Sequence, residues 1–158
     1  MSRTWIGEYD ADIRLWSERQ AALLRRVGAG EKVNDQVDWA NVAEEIESLG
    51  QSERRRLASH VRTVLEHLAK LEASPATESR SGWQDTVLRS RLDIQDLLEA
   101  SPSLRPTLAA VVSQQLPRAL KLTASALTLH GETPRVDLGN ITYTVDQVLS
   151  DWFPTGNE

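Results

Sequence analysis

Apolar side chains recur along this chain at the three- and four-residue spacing of amphipathic helices. From Asp10 as N-cap to about Val27, the residues Tyr9, Ile13, Trp16, Leu23, Leu24 and Val27 fall on one face of a helical wheel, with Gln20 in its middle. Gly28-Ala29-Gly30 ends that helix, because glycine takes a left-handed C-cap at little cost. Asp38 is expected to cap a second helix, WANVAEEIESL, which buries Trp39, Val42, Ala43, Ile46 and Leu49. Gly50 is expected to stop it, and Ser52 to start a third helix from about Glu53 to Ala73. There Leu57, Val61, Val64, Leu68 and Leu71 repeat at 4-3-4-3, the seam of a helical bundle.

After the Ser74-Pro75 stop, a fourth helix is expected from Gly82 or Trp83 to about Ala100. Trp83, Val87, Ile94, Leu97 and Leu98 make its main face; Leu88 and Leu92 point elsewhere. Such a helix is either sandwiched between neighbours or presents an association surface. Ser101 and Pro102 open a fifth helix that ends at Gly131, with an irregular start at Pro106 and a kink at Pro117. Its wide arc (Leu104, Leu108, Val111, Val112, Leu116, Ala119, Leu122, Ala126, Leu129) marks it as the central helix. Residues 132–143 alternate briefly and read as a small hairpin at Gly139-Asn140 or as extended loop. Thr144 with Gln147 forms a capping box for a short last helix, which Trp152 and Phe153 clamp down.

These elements predict an all-α, single-domain antiparallel bundle of four to five main helices over about 9–131. A C-terminal extension over about 132–158 carries the short last helix and packs on the bundle. The 158 residues suffice for one core without metal or disulfide. With no cysteine, disulfides, thiolate catalysis and zinc–cysteine sites are excluded. No apolar run approaches the roughly 20 residues of a membrane span. The N-terminal stretch lacks an apolar signal core, so a cytoplasmic location with no membrane partner is expected. A net charge of −5 argues mildly against nucleic acid.

The strongest candidate chemistry pairs Glu44, Glu45 and Glu47 with His60 and His67 across the expected turn between helices two and three. Carboxylates beside imidazoles at the border of the apolar stripes could bind a divalent metal, through Glu45 and His67, or act as an acid–base pair. The plainer reading is hydrogen-bonded boundary residues that orient the two helices. The histidines stand seven residues apart, about 10.5 Å of helix rise, where shared ligation uses neighbours three or four apart. Neither belongs to a Glu-x-x-His or His-Glu-x-x-His motif.

Arg54, Arg55 and Arg56 form the strongest basic run, expected in the first turn of helix three, where the macrodipole disfavours cations. The glutamates of helix two, a phosphate or an acidic protein would answer it. Arg80, Arg89 and Arg91 make a thinner second patch, and no aromatic residues interleave with these arginines as they do in single-strand binders. Gly28-Ala29-Gly30-Glu31-Lys32 follows a helix and lacks Walker spacing, so it reads as a C-cap.

Several segments in order also carry a resemblance: Tyr9-Asp10-Ala11-Asp12 with Trp16; Asp38-Trp39 with Glu44-Glu45-Ile46-Glu47-Ser48-Leu49-Gly50; Leu65-Glu66-His67-Leu68 with Lys70; Ser101-Pro102-Ser103-Leu104-Arg105; and Tyr143-Thr144 with Gln147. Together they resemble the bacterial "domain of unknown function 29" family, over roughly residues 5–152. The resemblance implies an all-helical fold and brings no established activity, cofactor or catalytic residue.

The function expected from the residues is therefore an interaction module, which binds another protein or a second copy of itself through an exposed helical face. Arg54, Arg55, Arg56, Leu88 and Leu92 are its candidate contacts, and no cofactor is expected. Two rivals stand beside it: a small metal-dependent or acid–base enzyme using Glu45, Glu47, His60 and His67, and a nucleic-acid binder using the arginines.

Overall fold

A computed structural model describes residues 7–155. The fold is all-α. Among the described residues there are six helices: α1 (Glu8–Ala11), α2 (Ile13–Gly28), α3 (Trp39–Ala73), α4 (Arg80–Ala100), α5 (Leu108–Leu129) and α6 (Val145–Leu149), with short 3-10 turns between them. The chain divides between Gln51 and Ser52 into two compact units.

In the first unit the expected single helix from Asp10 is two. Asp12 interrupts it with an extended backbone, and its side chain accepts the Leu15 N–H as the N-cap of α2. Trp16 and Gln20 are buried on α2; Ile13 is exposed. Gly30 takes φ +89°, the left-handed C-cap that the glycine pair announced. Val33, Val37 and Asp38 are buried in the connection to α3.

The larger correction concerns α3. Gly50 does not stop it: the helix runs unbroken for 35 residues, and Gly50 is not among the glycines with positive φ. A single interior glycine costs a helix only about 1 kcal/mol, and the flanking EEIESL and QSERRRL runs are strong helix formers with no proline to enforce a break. The hairpin expected between helices two and three is therefore absent. Its consequence is visible on the first part of α3, where Trp39 (49% exposed), Ile46 (66%) and Leu49 (72%) lie open instead of buried.

The second unit holds the main core. Leu57, Val61, Val64, Leu68 and Leu71, the expected seam, are at most 1% exposed. The first four of them pack with Val87, Ile94, Leu97 and Leu98 of α4, with Leu108, Val112 and Ala119 of α5, and with Ile141, Tyr143 and Val148 of the C-terminal segment. α5 is less central than its wide arc implied, because Leu122 and Leu129 are exposed. A 3-10 turn, Pro102–Thr107, forms the irregular start expected at Pro106, and Pro117 lies inside the helix.

Residues 132–143 form no hairpin. The Arg135 N–H donates to the Ala73 carbonyl at 2.8 Å, and a 3-10 turn occupies Leu138–Asn140, where the Asp137 carboxylate accepts the Gly139 N–H. The Thr144–Gln147 capping box on α6 is present in both directions. Trp152 and Phe153 pack against the core as the expected clamp. Trp5 lies outside the described residues.

Candidate functional site

The four residues proposed for chemistry each have their own surroundings. In the first unit, Glu45 accepts a 2.5 Å hydrogen bond from the Tyr9 hydroxyl, and Glu44 and Glu47 are exposed. That bond to Glu45, reinforced by desolvation and nearby carboxylates, pushes the Tyr9 hydroxyl up to about 12. In the second unit, His60 Nδ1 stands 3.7 Å from Asp93 Oδ2 of α4, a contact too long for a hydrogen bond. His67 Nδ1 lies 2.8 Å from the Thr63 carbonyl, one turn earlier on its own helix, and acts there as donor. Burial holds the His67 imidazole below the usual histidine range. Among the described residues, no group of three or more His, Asp or Glu is placed to share a metal ion.

The arginines also divide. Arg54, Arg55 and Arg56 are exposed in the middle of α3, so the macrodipole argument for a first-turn site lapses with the missing break. Arg56 pairs with Glu53 on its own helix at 2.9 Å, not with a glutamate of an antiparallel neighbour. The second patch dissolves into three separate roles. Arg80 donates to the Leu71 carbonyl at 2.8 Å and, with Arg135, satisfies the last carbonyls of α3. Arg89 pairs with Asp85 in solvent.

Arg91 is buried, and sequence reasoning missed its part. Its Nε donates to the Val148 carbonyl at 2.9 Å, and its Nη2 to the carbonyls of Gln147 (2.9 Å) and Trp152 (2.6 Å). Its guanidinium carbon stands 4.9 Å from the centre of the Phe153 ring, a cation–π contact. One side chain thus caps the end of α6 and holds the segment beyond it. Burial lowers its pKa, Asp151 opposes that shift, and an arginine stays charged throughout. The available signal was an arginine between Val87 and Ile94 on a helix otherwise apolar at those positions.

Leu88 and Leu92, proposed together as contacts, are brought together. They are 44% and 62% exposed, so α4 is not sandwiched on that side. Both line a groove of about 520 Å³, with Leu98, Leu149, Arg105 and the covered edge of Arg91 among its walls. Asp151 and Glu99 lend it acidic groups as well, so its lining mixes leucines with charges of both signs.

A polar network orders the first unit. The Trp16 indole N–H donates to Asp38 Oδ2 at 3.0 Å, Asn41 Nδ2 donates to the same oxygen at 2.7 Å, and the Asp38 N–H donates to Gln20 Oε1 at 2.8 Å. Gln20 is therefore a buried glutamine whose side-chain oxygen is hydrogen-bonded. Tyr9 stacks edge-on against Trp16, with ring centres 4.9 Å apart.

No helix of the described residues is long and apolar enough to cross a membrane. Neither a curated protein nor a solved structure matches this chain. A family profile does, over residues 8–153, and it spans the Tyr9–Trp16 segment, the glutamate-rich part of α3 and the capped C-terminal helix alike. With nearly its whole length matched, the chain belongs to the family described as Domain of unknown function DUF29.

Proposed function

We propose that this protein is a helical interaction module that docks a segment of another protein in the groove along α4. One observation carries the reading: Leu88 and Leu92 are left open by the fold, side by side, along a groove that the buried Arg91 also lines. Burying the exposed part of two leucines would contribute roughly 1 kcal/mol each, which favours an apolar or amphipathic segment as occupant. The open Trp39, Ile46 and Leu49 of α3 add a second apolar surface. We read the chain as cytoplasmic, a reading supported by its lack of cysteine.

The test is affinity capture from native cells with wild-type protein beside Leu92→Asp, both checked for helicity. A partner held by the wild type, released by Leu92→Asp and cross-linked at Leu88 supports the proposal. No reproducible partner, together with a monomer in solution, overturns it. A dimer dissociated by Leu92→Asp replaces the foreign partner with a second copy. Salt-sensitive retention on heparin that is lost on changing Arg54, Arg55 and Arg56 would favour nucleic acid instead.

A further inference from the structure

The first unit contains a smaller cavity, about 250 Å³, lined by Glu8, Arg19, Gln20, Leu23, Arg26 and Gln36. Two of its side chains carry buried polar atoms with no partner: Gln20 Nε2 and Glu8 Oε2. Gln20 is only 2% exposed. The orientation of its amide is fixed by chemistry, because the Asp38 N–H at 2.8 Å requires an oxygen facing it. Both hydrogens of Nε2 are then the ones left over, and unpaired buried donors are costly to keep. Glu8 is similarly half used. Its Oε1 is held by the Arg19 guanidinium, and Oε2 is the unmatched oxygen.

The cavity therefore offers N–H donors beside two guanidiniums, one paired with Glu8 and the other with Glu31, and a carboxylate oxygen that lacks a donor. An inorganic anion would satisfy the first and be repelled by Glu8; a simple amine would do the reverse. The space exceeds the roughly 30 Å³ of one water several-fold. We infer that this cavity binds a small zwitterion, of the α-amino acid class, whose carboxylate faces Gln20 Nε2 and the arginines, whose ammonium faces Glu8, and whose side chain lies on Leu23. This site is separate from the α4 groove and stands or falls without it.

The test is a titration of ¹⁵N-labelled full-length protein with L-alanine, L-leucine and L-glutamate, beside propionate and propylamine, read at the Gln20 side-chain NH₂ resonances. The expected result is a saturable shift, with at least one amino acid bound tenfold or more tightly than either propionate or propylamine. Gln20→Glu keeps the oxygen that serves Asp38 and removes the donor, and it should weaken binding at least tenfold. Glu8→Gln, a change outside the core, should abolish the advantage of the amino acid over propionate even where Gln20→Glu fails to fold. No shift with any amino acid, propionate binding as tightly as alanine, or a Gln20 NH₂ group in contact with water alone would overturn the inference.

Discussion

The Tyr143 hydroxyl donates to Glu72 Oε2 at 2.6 Å, joining the segment before α6 to the last turn of α3 across 71 positions of sequence. The ring is buried and tilted against Trp152, with centres 6.0 Å apart. A hydrogen bond to a charged acceptor contributes about 1.5–3 kcal/mol. Tyr143→Phe should therefore destabilise the protein by about that much and lower its melting temperature by roughly 3–10 °C. Calorimetry of the two proteins measures it.

The same pair sets an alkaline limit. Burial, and then the bond to Glu72, hold the Tyr143 hydroxyl well above its ordinary value. The unfolded chain releases that proton near pH 10 and the folded chain does not. Stability is thus complete below pH 10 and falls as pH rises past it. Urea unfolding at pH 9 and 11 should show the loss, and Tyr143→Phe should reduce its slope.

His67 works in the opposite direction. Its burial disfavours the charged imidazole, so the folded chain takes up its proton at lower pH than the unfolded chain, which does so below about pH 6.5. Stability is complete above that pH and declines as the solution is acidified. Denaturation midpoints at pH 7.5 and 5.5 should differ less in His67→Gln than in the wild type.

Gly50 offers a direct test of the long helix. Nothing lies within 4 Å of the position a Cβ would take, and the residue is not left-handed. Gly50→Ala should stabilise the protein by about 0.5–1 kcal/mol. A helix ending there in a left-handed cap would be destabilised by the same change, so the sign of the shift in chemical denaturation decides between them.

Arg91→Met should be among the costliest single changes, about 3 kcal/mol or more, because it leaves three carbonyls without their donor. Arg91→Lys should recover little of this, since an ammonium cannot reproduce the planar fork. Hydrogen exchange localised to residues 145–153 is the measurement.

What was legible in the sequence was local or periodic. The Thr144–Gln147 box could be read because both partners lie within one turn, and the Leu57–Leu71 seam because its period repeats over four turns. Gly50 misled because a glycine after a helical run has the same composition whether it caps or continues. The tertiary context that decides is not written at that position. From the missing break followed the misplaced first turn at Arg54–Arg56 and the expected burial of Ile46 and Leu49. Arg91 escaped notice because its acceptors lie 56 to 61 positions away and are main-chain atoms, which no side-chain motif announces. The open pair Leu88 and Leu92 was visible as a second apolar face, although only the fold could show that both stay exposed among the described residues.

The clasp at Arg91 also bears on how the protein is made. Leu149 and Asp151 line the α4 groove, and the carbonyls of residues 147, 148 and 152 hold the arginine that lines it too. On the ribosome, α4 emerges more than forty positions before those acceptors do. The groove cannot exist on a nascent chain that stops short of them, so a message truncated before codon 147 would yield helices without this cleft.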